Sequence, residues 1–257
     1  MKYLLAFYFT IYSFSIFGQP IDLNHGTTII AFITNDTVWV AADTKVHESA
    51  SNYNKEQSST HRKIFKTNEI VYAFSELPRP STYNKEVYNA DKIMTHFIKT
   101  QKTFEKIFEK FNDSIIKRLT VFIDSLKVNR YYSEIEEYKK KPVLGMFMIA
   151  FINGKPEFKH RTYKFNEQAN GVIPIDPFVP DGFGRILWLG SQINAMNYLR
   201  SNKSYFNGFK NMTQRLICLI NEEVKNNGEY VGFPVDVLIL TKKWHKWYYN
   251  NKSCIIQ

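Results

Sequence analysis

Residues 28–34, 37–42 and 143–152 are apolar almost without a break and rich in β-branched side chains. Runs of strand length with no polar alternation belong in sheets covered on both faces. A fold with one wet sheet face is therefore excluded, and the chain must supply covering layers. Asn35-Asp36 between the first two runs marks a hairpin turn. Asn153-Gly154 marks another, with 156–164 as the returning strand. Further strands are expected at 63–65, 70–74, 186–189 and 235–240, with 246–250 as the hairpin mate of the last.

The covering layers are legible as helical periodicity. Val87, Ile93, Met94, Phe97 and Ile98 fall near one face of a helix over about 84–99. Phe104, Ile107, Phe108, Phe111, Ile115, Leu119, Phe122 and Ile123 form a long stripe over 104–127. Ala195, Met196, Tyr198 and Leu199 follow Gly190-Ser191 in a third helix, and 213–225 forms a fourth. Residues 47–61 and 166–184 read as loops. The order strands, two helices, strands, two helices, strands predicts an α+β fold. Its architecture would be a four-layer α/β/β/α sandwich, two antiparallel sheets face to face with a helix pair outside each. At 257 residues and 44% hydrophobic content the chain supports one such domain, expected over 27–257.

Residues ahead of this domain read as a targeting signal. Lys2 precedes an apolar and aromatic run from Tyr3 to Phe17, then Gly18-Gln19-Pro20. That run suits a signal peptide over 1–18 and is short for a membrane span of about 20 residues. An uncleaved anchor is the alternative. Removal would leave 19–26 as a short propeptide, no stable membrane span, and a periplasmic or extracellular protein. The net charge of +10 raises nucleic acid as a partner. The lysines, however, lie in short dispersed runs such as Lys139-Lys140-Lys141 and Lys242-Lys243, as on solvated faces, and no nucleic acid is expected. Two cysteines, Cys218 and Cys254, would either pair in an oxidising compartment or leave Cys218 as a buried thiol. The histidines and cysteines show no metal-ligand spacing, so neither a metal nor another cofactor is expected.

The chemistry-bearing stretch is Gly26-Thr27-Thr28, at the front of the first strand, with Asp43 at the exit of the second. A cut between Gly26 and Thr27 would give Thr27 a hydroxyl nucleophile and a free amine to serve as its base. That pairing needs neither a histidine nor a metal.

Gly26-Thr27-Thr28, Val40-Ala41-Ala42-Asp43-Thr44-Lys45 and Arg62-Lys63-Ile64 together resemble the proteasome β-subunit family of N-terminal nucleophile hydrolases. The resemblance extends to the element order over 27–250. It implies a threonine peptidase, autoprocessed at Gly26-Thr27, that cleaves peptides or unfolded proteins through an acyl-enzyme and assembles as a ring or other homo-oligomer. Residue by residue, it implies Thr27 as nucleophile, Lys63 as the cation beside the amine, Asp43 as its partner, and Ser191 as a hydrogen-bonding group for the amine. Backbone N–H groups of Ser75 and Glu76 would stabilise the oxyanion. Taken singly, Asp43 also fits a turn, Lys63 a surface lysine, and Ser191 a helix cap.

This chain departs from the family pattern in two places. Gly228 and Val231 stand where an aspartate and a serine are usual, with Glu229 as a poor substitute. Ser75-Glu76-Leu77-Pro78 stands where a glycine normally serves the oxyanion. Two further readings follow: a catalytically degenerate assembly or binding protein of the same fold, and an amidase acting on non-peptide amides.

Overall fold

The computed structural model describes residues 27–48, 57–60, 62–76, 78–82, 85–176, 186–202, 211–228 and 231–250. Two five-stranded antiparallel sheets and five helices make up the α+β architecture of these residues. The expected signal peptide, the propeptide and Gly26 lie outside them.

The first sheet runs in the order β12 (Ile186–Gly190), β1 (Thr28–Ile33), β2 (Thr37–Asp43), β13 (Val235–Thr241), β14 (His245–Asn250). The second runs β11 (Gly171–Ile175), β10 (Lys155–Asn166), β9 (Leu144–Ile152), β6 (Ile70–Glu76), β5 (Ile64–Thr67). Two short ribbons add β3 (Lys45–Glu48) with β4 (Gln57–Thr60), and β7 (Ser81–Thr82) with β8 (Lys85–Glu86). The helices are α1 (Ala90–Thr100), α2 (Phe104–Val128), α3 (Tyr132–Lys140), α4 (Ile193–Ser201) and α5 (Met212–Asn227).

Strand alternation divides the apolar runs among three cores. Ile29, Ala31, Val40 and Ala42 face Val71, Ala73, Phe147 and Ile149 between the sheets. Tyr72, Phe74, Met146 and Met148 point outward and are covered by α1, α2 and α3, with Phe111, Ile115, Leu119 and Tyr138 packed on them. Ile30, Ala41, Val235 and Val237 point outward from the first sheet onto α4 and α5, through Ala195, Leu199, Leu216 and Ile220. Strands β1, β2 and β9 are buried on both faces along most of their length, which is why they show no polar alternation. Each of these large side chains contributes about 1.5–3 kcal/mol on burial.

Local chemistry sets the element ends. Thr34 accepts the Thr37 N–H on its Oγ1 and closes the β1–β2 turn. Asn153 and Gly154 adopt φ of 51° and 78°, the left-handed pair that a tight hairpin requires. The side chains of Asn89 and Thr103 cap α1 and α2 by accepting the N–H groups of Lys92 and Lys106.

The structure corrects the expected layout in four places. One outer layer holds three helices, because Ile135 and Tyr138 of α3 join its core. The expected loop at 47–61 contributes to the β3–β4 ribbon, and that at 166–184 contributes β11. Helix α1 begins only at its Asn89 cap, later than periodicity predicts.

Candidate active site

The corner where β1 begins and β2 ends gathers buried polar groups from both sheets. Asp43 closes β2 and is wholly buried. Its Oδ1 accepts the Thr28 N–H at 2.7 Å. Its Oδ2 pairs with Lys63 Nζ at 2.8 Å. Lys63 lies just ahead of β5 and is 8% exposed, so the ion pair bridges the two sheets. Burial pushes the Asp43 carboxyl up, opposed by the Lys63 charge and by the N–H groups of Thr28 and Gly232. Burial likewise pulls the Lys63 ammonium down, opposed first by Asp43 and then by Glu76. A cation so held is a short-range electrostatic device for whatever lies next to it.

Thr27 is 5% exposed and stands directly before β1. Its carbonyl accepts the Ser191 N–H at 2.6 Å, and Thr28 Oγ1 donates to the Ser191 carbonyl at 2.9 Å. Gly190 makes this approach possible. Its φ is +75°, and a Cβ there would lie 1.8 Å from the Thr27 carbonyl oxygen. Any other residue would push Ser191 off Thr27.

Ser191 does not cap α4. The N-cap is Gln192, which makes no side-chain cap bond, and the Ala195 N–H is instead accepted by Glu223 Oε1 of α5 at 2.9 Å. Glu223 is fully buried. Its Oε2 also accepts from Ser191 Oγ at 3.1 Å, Asn194 Nδ2 at 3.0 Å and Asn227 Nδ2 at 3.0 Å. Asn227 Nδ2 lies 3.1 Å from Ser191 Oγ as well.

Ser75 and Glu76 end β6. Ser75 is buried, and a Cβ on Gly145 of the neighbouring β9 would come within 2.5 Å of its Oγ. Glu76 has φ +64°, a left-handed backbone unusual for a residue with a side chain. Burial raises its carboxyl to about 7, against the opposing charges of Lys141 and Lys63.

The geometry thus brings together Thr27, Asp43, Lys63 and Ser191. Lys45 is engaged elsewhere, donating from Nζ to the Gly228 carbonyl at 2.5 Å. Gly228 closes α5, and Val231 is buried in the outer core beside it. Glu229 lies outside the described residues. Sequence reading missed Glu223 and Asn227. Their signal was available: with Leu216 and Ile220 they follow three- and four-residue spacing, which puts an acid on the apolar face of α5. Among the described residues no three metal-ligating side chains cluster, and no helix is long and apolar enough to cross a membrane. Cys218 of α5 is disulfide-bonded, which decides for a bridge over a free thiol. Cys254 lies outside the described residues.

No protein-family profile matches the chain, and no curated protein matches it. It is similar to solved structures of an Anbu mutant from Hyphomicrobium sp. strain MC1 and of Anbu, an ancestral beta-subunit, from Yersinia bercovieri. The first has a TM-score of 0.47 and 12% identity, covering 88% of this chain and 87% of that one. The second has a TM-score of 0.43 and 12% identity, covering 88% of each. Values this low decide nothing about the chemistry. The expected membership in the proteasome β-subunit family is therefore corrected: the chain is not assigned to it. The resemblance rested on three short segments and on the element order over 27–250, and glycine and aspartate at such positions are also ordinary turn residues.

Proposed function

We propose that this chain is a self-processing hydrolase with the Thr27 hydroxyl as nucleophile. The observation that carries the reading is the buried Asp43–Lys63 pair, hydrogen-bonded to the peptide immediately after Thr27. In the precursor, Thr27 Oγ adds to the Gly26 carbonyl. The C–N bond breaks, Thr27 gains its amine, and water hydrolyses the resulting ester to free the Gly26 carboxylate. In the mature chain the amine takes the hydroxyl proton as Oγ attacks a substrate amide, and passes it to the leaving amine. Water then releases the acyl group. The Lys63 cation disfavours a second positive charge nearby and so keeps the Thr27 amine available as base near neutral pH. The β6 exit at Ser75-Glu76 is assigned the oxyanion N–H groups.

The four-layer packing supports an N-terminal-nucleophile hydrolase fold over 27–257. Peptide amides are the proposed substrates. Cleavage of simple non-peptide amides in preference to peptides would establish the amidase reading instead. The apolar leader at 3–17 and the bridged Cys218 support export to an oxidising compartment. Exposed Trp244, Tyr248 and Tyr249 at the β14 edge support self-association.

Intact-mass and N-terminal analysis of the purified protein tests the central claim. The expected chain begins at Thr27, and the Thr27→Ala chain keeps residues ahead of position 27. A Thr27→Ala chain that is still cut after Gly26 and still hydrolyses peptides overturns it.

A further inference from the structure

We infer that Glu223 and Asn227 are positioning residues for the free amine of Thr27, acting through the Ser191 hydroxyl. The inference rests on the proposed use of Thr27 as an N-terminal nucleophile. The Ser191 main chain is fixed on both sides, its N–H to the Thr27 carbonyl and its carbonyl to the Thr28 hydroxyl. Gly190 is the only kind of residue that permits that approach. The Ser191 main chain is therefore held against the start of β1, and its hydroxyl is held by Glu223 and Asn227 of α5.

A hydroxyl has one proton and two lone pairs. Glu223 accepts that proton at 3.1 Å, and Asn227 Nδ2 donates to Ser191 Oγ at 3.1 Å. All four partners of Glu223 are donors: Ser191 Oγ, Asn194 Nδ2, Asn227 Nδ2 and the Ala195 N–H. Glu223 therefore accepts only, as a carboxylate does. The Ser191 hydroxyl is left with one lone pair and nothing to donate. Toward the Thr27 amine it can act only as acceptor. An amine held through its N–H has its own lone pair turned away from Ser191, free to face the hydroxyl it must deprotonate.

Glu223 supplies a second effect. Its four partners are neutral, so its negative charge acts through Ser191 on the amine and opposes the effect of Lys63. Asn227 softens that charge. The two side chains therefore shift the amine's proton affinity in opposite directions, which a purely structural role would not do.

The test uses the matured chain and a peptide epoxyketone, whose adduct forms only with a hydroxyl and a free amine on one residue. Its inactivation rate is measured against pH. For the wild type the rate rises to a plateau as the amine deprotonates. In Glu223→Gln the midpoint falls by about half a unit to one unit, and the plateau falls roughly tenfold. In Asn227→Ala the midpoint rises. In a Ser191→Ala background Glu223→Gln has no further effect. Midpoints equal to wild type in both single variants, with plateaus scaled only by the folded fraction, overturn the inference. Should Glu223→Gln fail to fold, the Asn227→Ala midpoint decides alone. A matured wild-type chain that forms no adduct overturns the Thr27 reading itself, and this inference with it.

Discussion

The two helical layers cover equivalent apolar sheets, yet they bury different things. Helix α2 spans 25 residues, and its nine buried side chains are all apolar. Helix α5 spans 16 residues and buries seven, including Asn221 and Glu223. A buried carboxylate costs several kcal/mol in lost hydration. Helix α2 avoids that cost, and the buried carboxylate of its layer, Glu134 of α3, accepts from the neighbouring Ser133 hydroxyl. Helix α5 accepts it at one position and surrounds that position with four donors. The difference teaches that the α1–α3 layer supplies stability, while the α4–α5 layer also holds a serine against the start of β1. Perturbing the first should alter folding alone, and perturbing the second should alter chemistry.

The sharpest break in this comparison comes from Thr27→Ala. It should abolish processing and amide hydrolysis while leaving the melting temperature within about 2 °C, because one hydroxyl is removed with little change in packing. Mass spectrometry, peptide turnover and calorimetry on the same preparation separate the two effects. Lys63→Met comes next. It leaves Asp43 fully buried without its cation, so stability should fall by about 3–5 kcal/mol in denaturant titration. Adding Asp43→Asn should restore much of that stability and none of the activity. Recovery of activity in the double variant would show that the pair serves only folding.

The control in the other layer is Leu119→Ala. Leu119 is wholly buried in the α2 core. Its truncation should cost about 2–5 kcal/mol in urea unfolding. The pH midpoint of epoxyketone inactivation should not move. A shift there would mean that the outer layer of the second sheet tunes the site as well, and the division between layers would fail.

The same division explains what the sequence made legible. Strands β1, β2, β9 and β13 were readable as unbroken apolar runs because both their faces are buried, and helix α2 because burial on one face leaves a period that survives in the residues. Asp43, Lys63 and Ser191 were singled out by resemblance, because taken singly they fit a turn, a surface lysine and a helix cap. Helix α3 was missed: Ile135 and Tyr138 are too few apolar positions among Glu134, Glu136, Glu137, Lys139 and Lys140 to leave a clear stripe. Strands β3 and β4 are polar ribbons whose pairing is made by main-chain bonds, which carry no side-chain pattern. Glu223 was missed for a different reason. Its partners come from α4, the β12 exit and its own helix, and the sequence places Ser191 32 residues away. Only the fold makes them neighbours. Resemblance directed attention to Gly228 and Val231, whereas the acid lies one turn and more upstream.

The smallest effect expected concerns pH, and it tests whether the β6 exit belongs to the site's electrostatics or to the bulk of the second sheet. Burial raises Glu76 from 4.5 to about 7. Between those values the native chain holds a proton that the unfolded chain has lost. The Glu76 contribution is therefore complete below pH 4.5 and is lost as pH rises through 7, on the order of 3 kcal/mol. His160 of β10 works in the opposite sense. Burial lowers it from 6.5 to about 4. Its contribution is complete above pH 6.5 and is lost as pH falls through 4. The two slopes overlap and oppose each other from 4.5 to 6.5, so these two groups together leave stability nearly unchanged there. Glu76→Gln should uncover the His160 slope, with stability rising with pH across that window in urea titrations. The same variant should also change the pH response of Thr27 inactivation, because Glu76 acts on Lys63. A wild-type stability profile retained in Glu76→Gln would remove Glu76 from the balance. A changed stability profile with an unmoved inactivation midpoint would assign Glu76 to the sheet and not to the active corner.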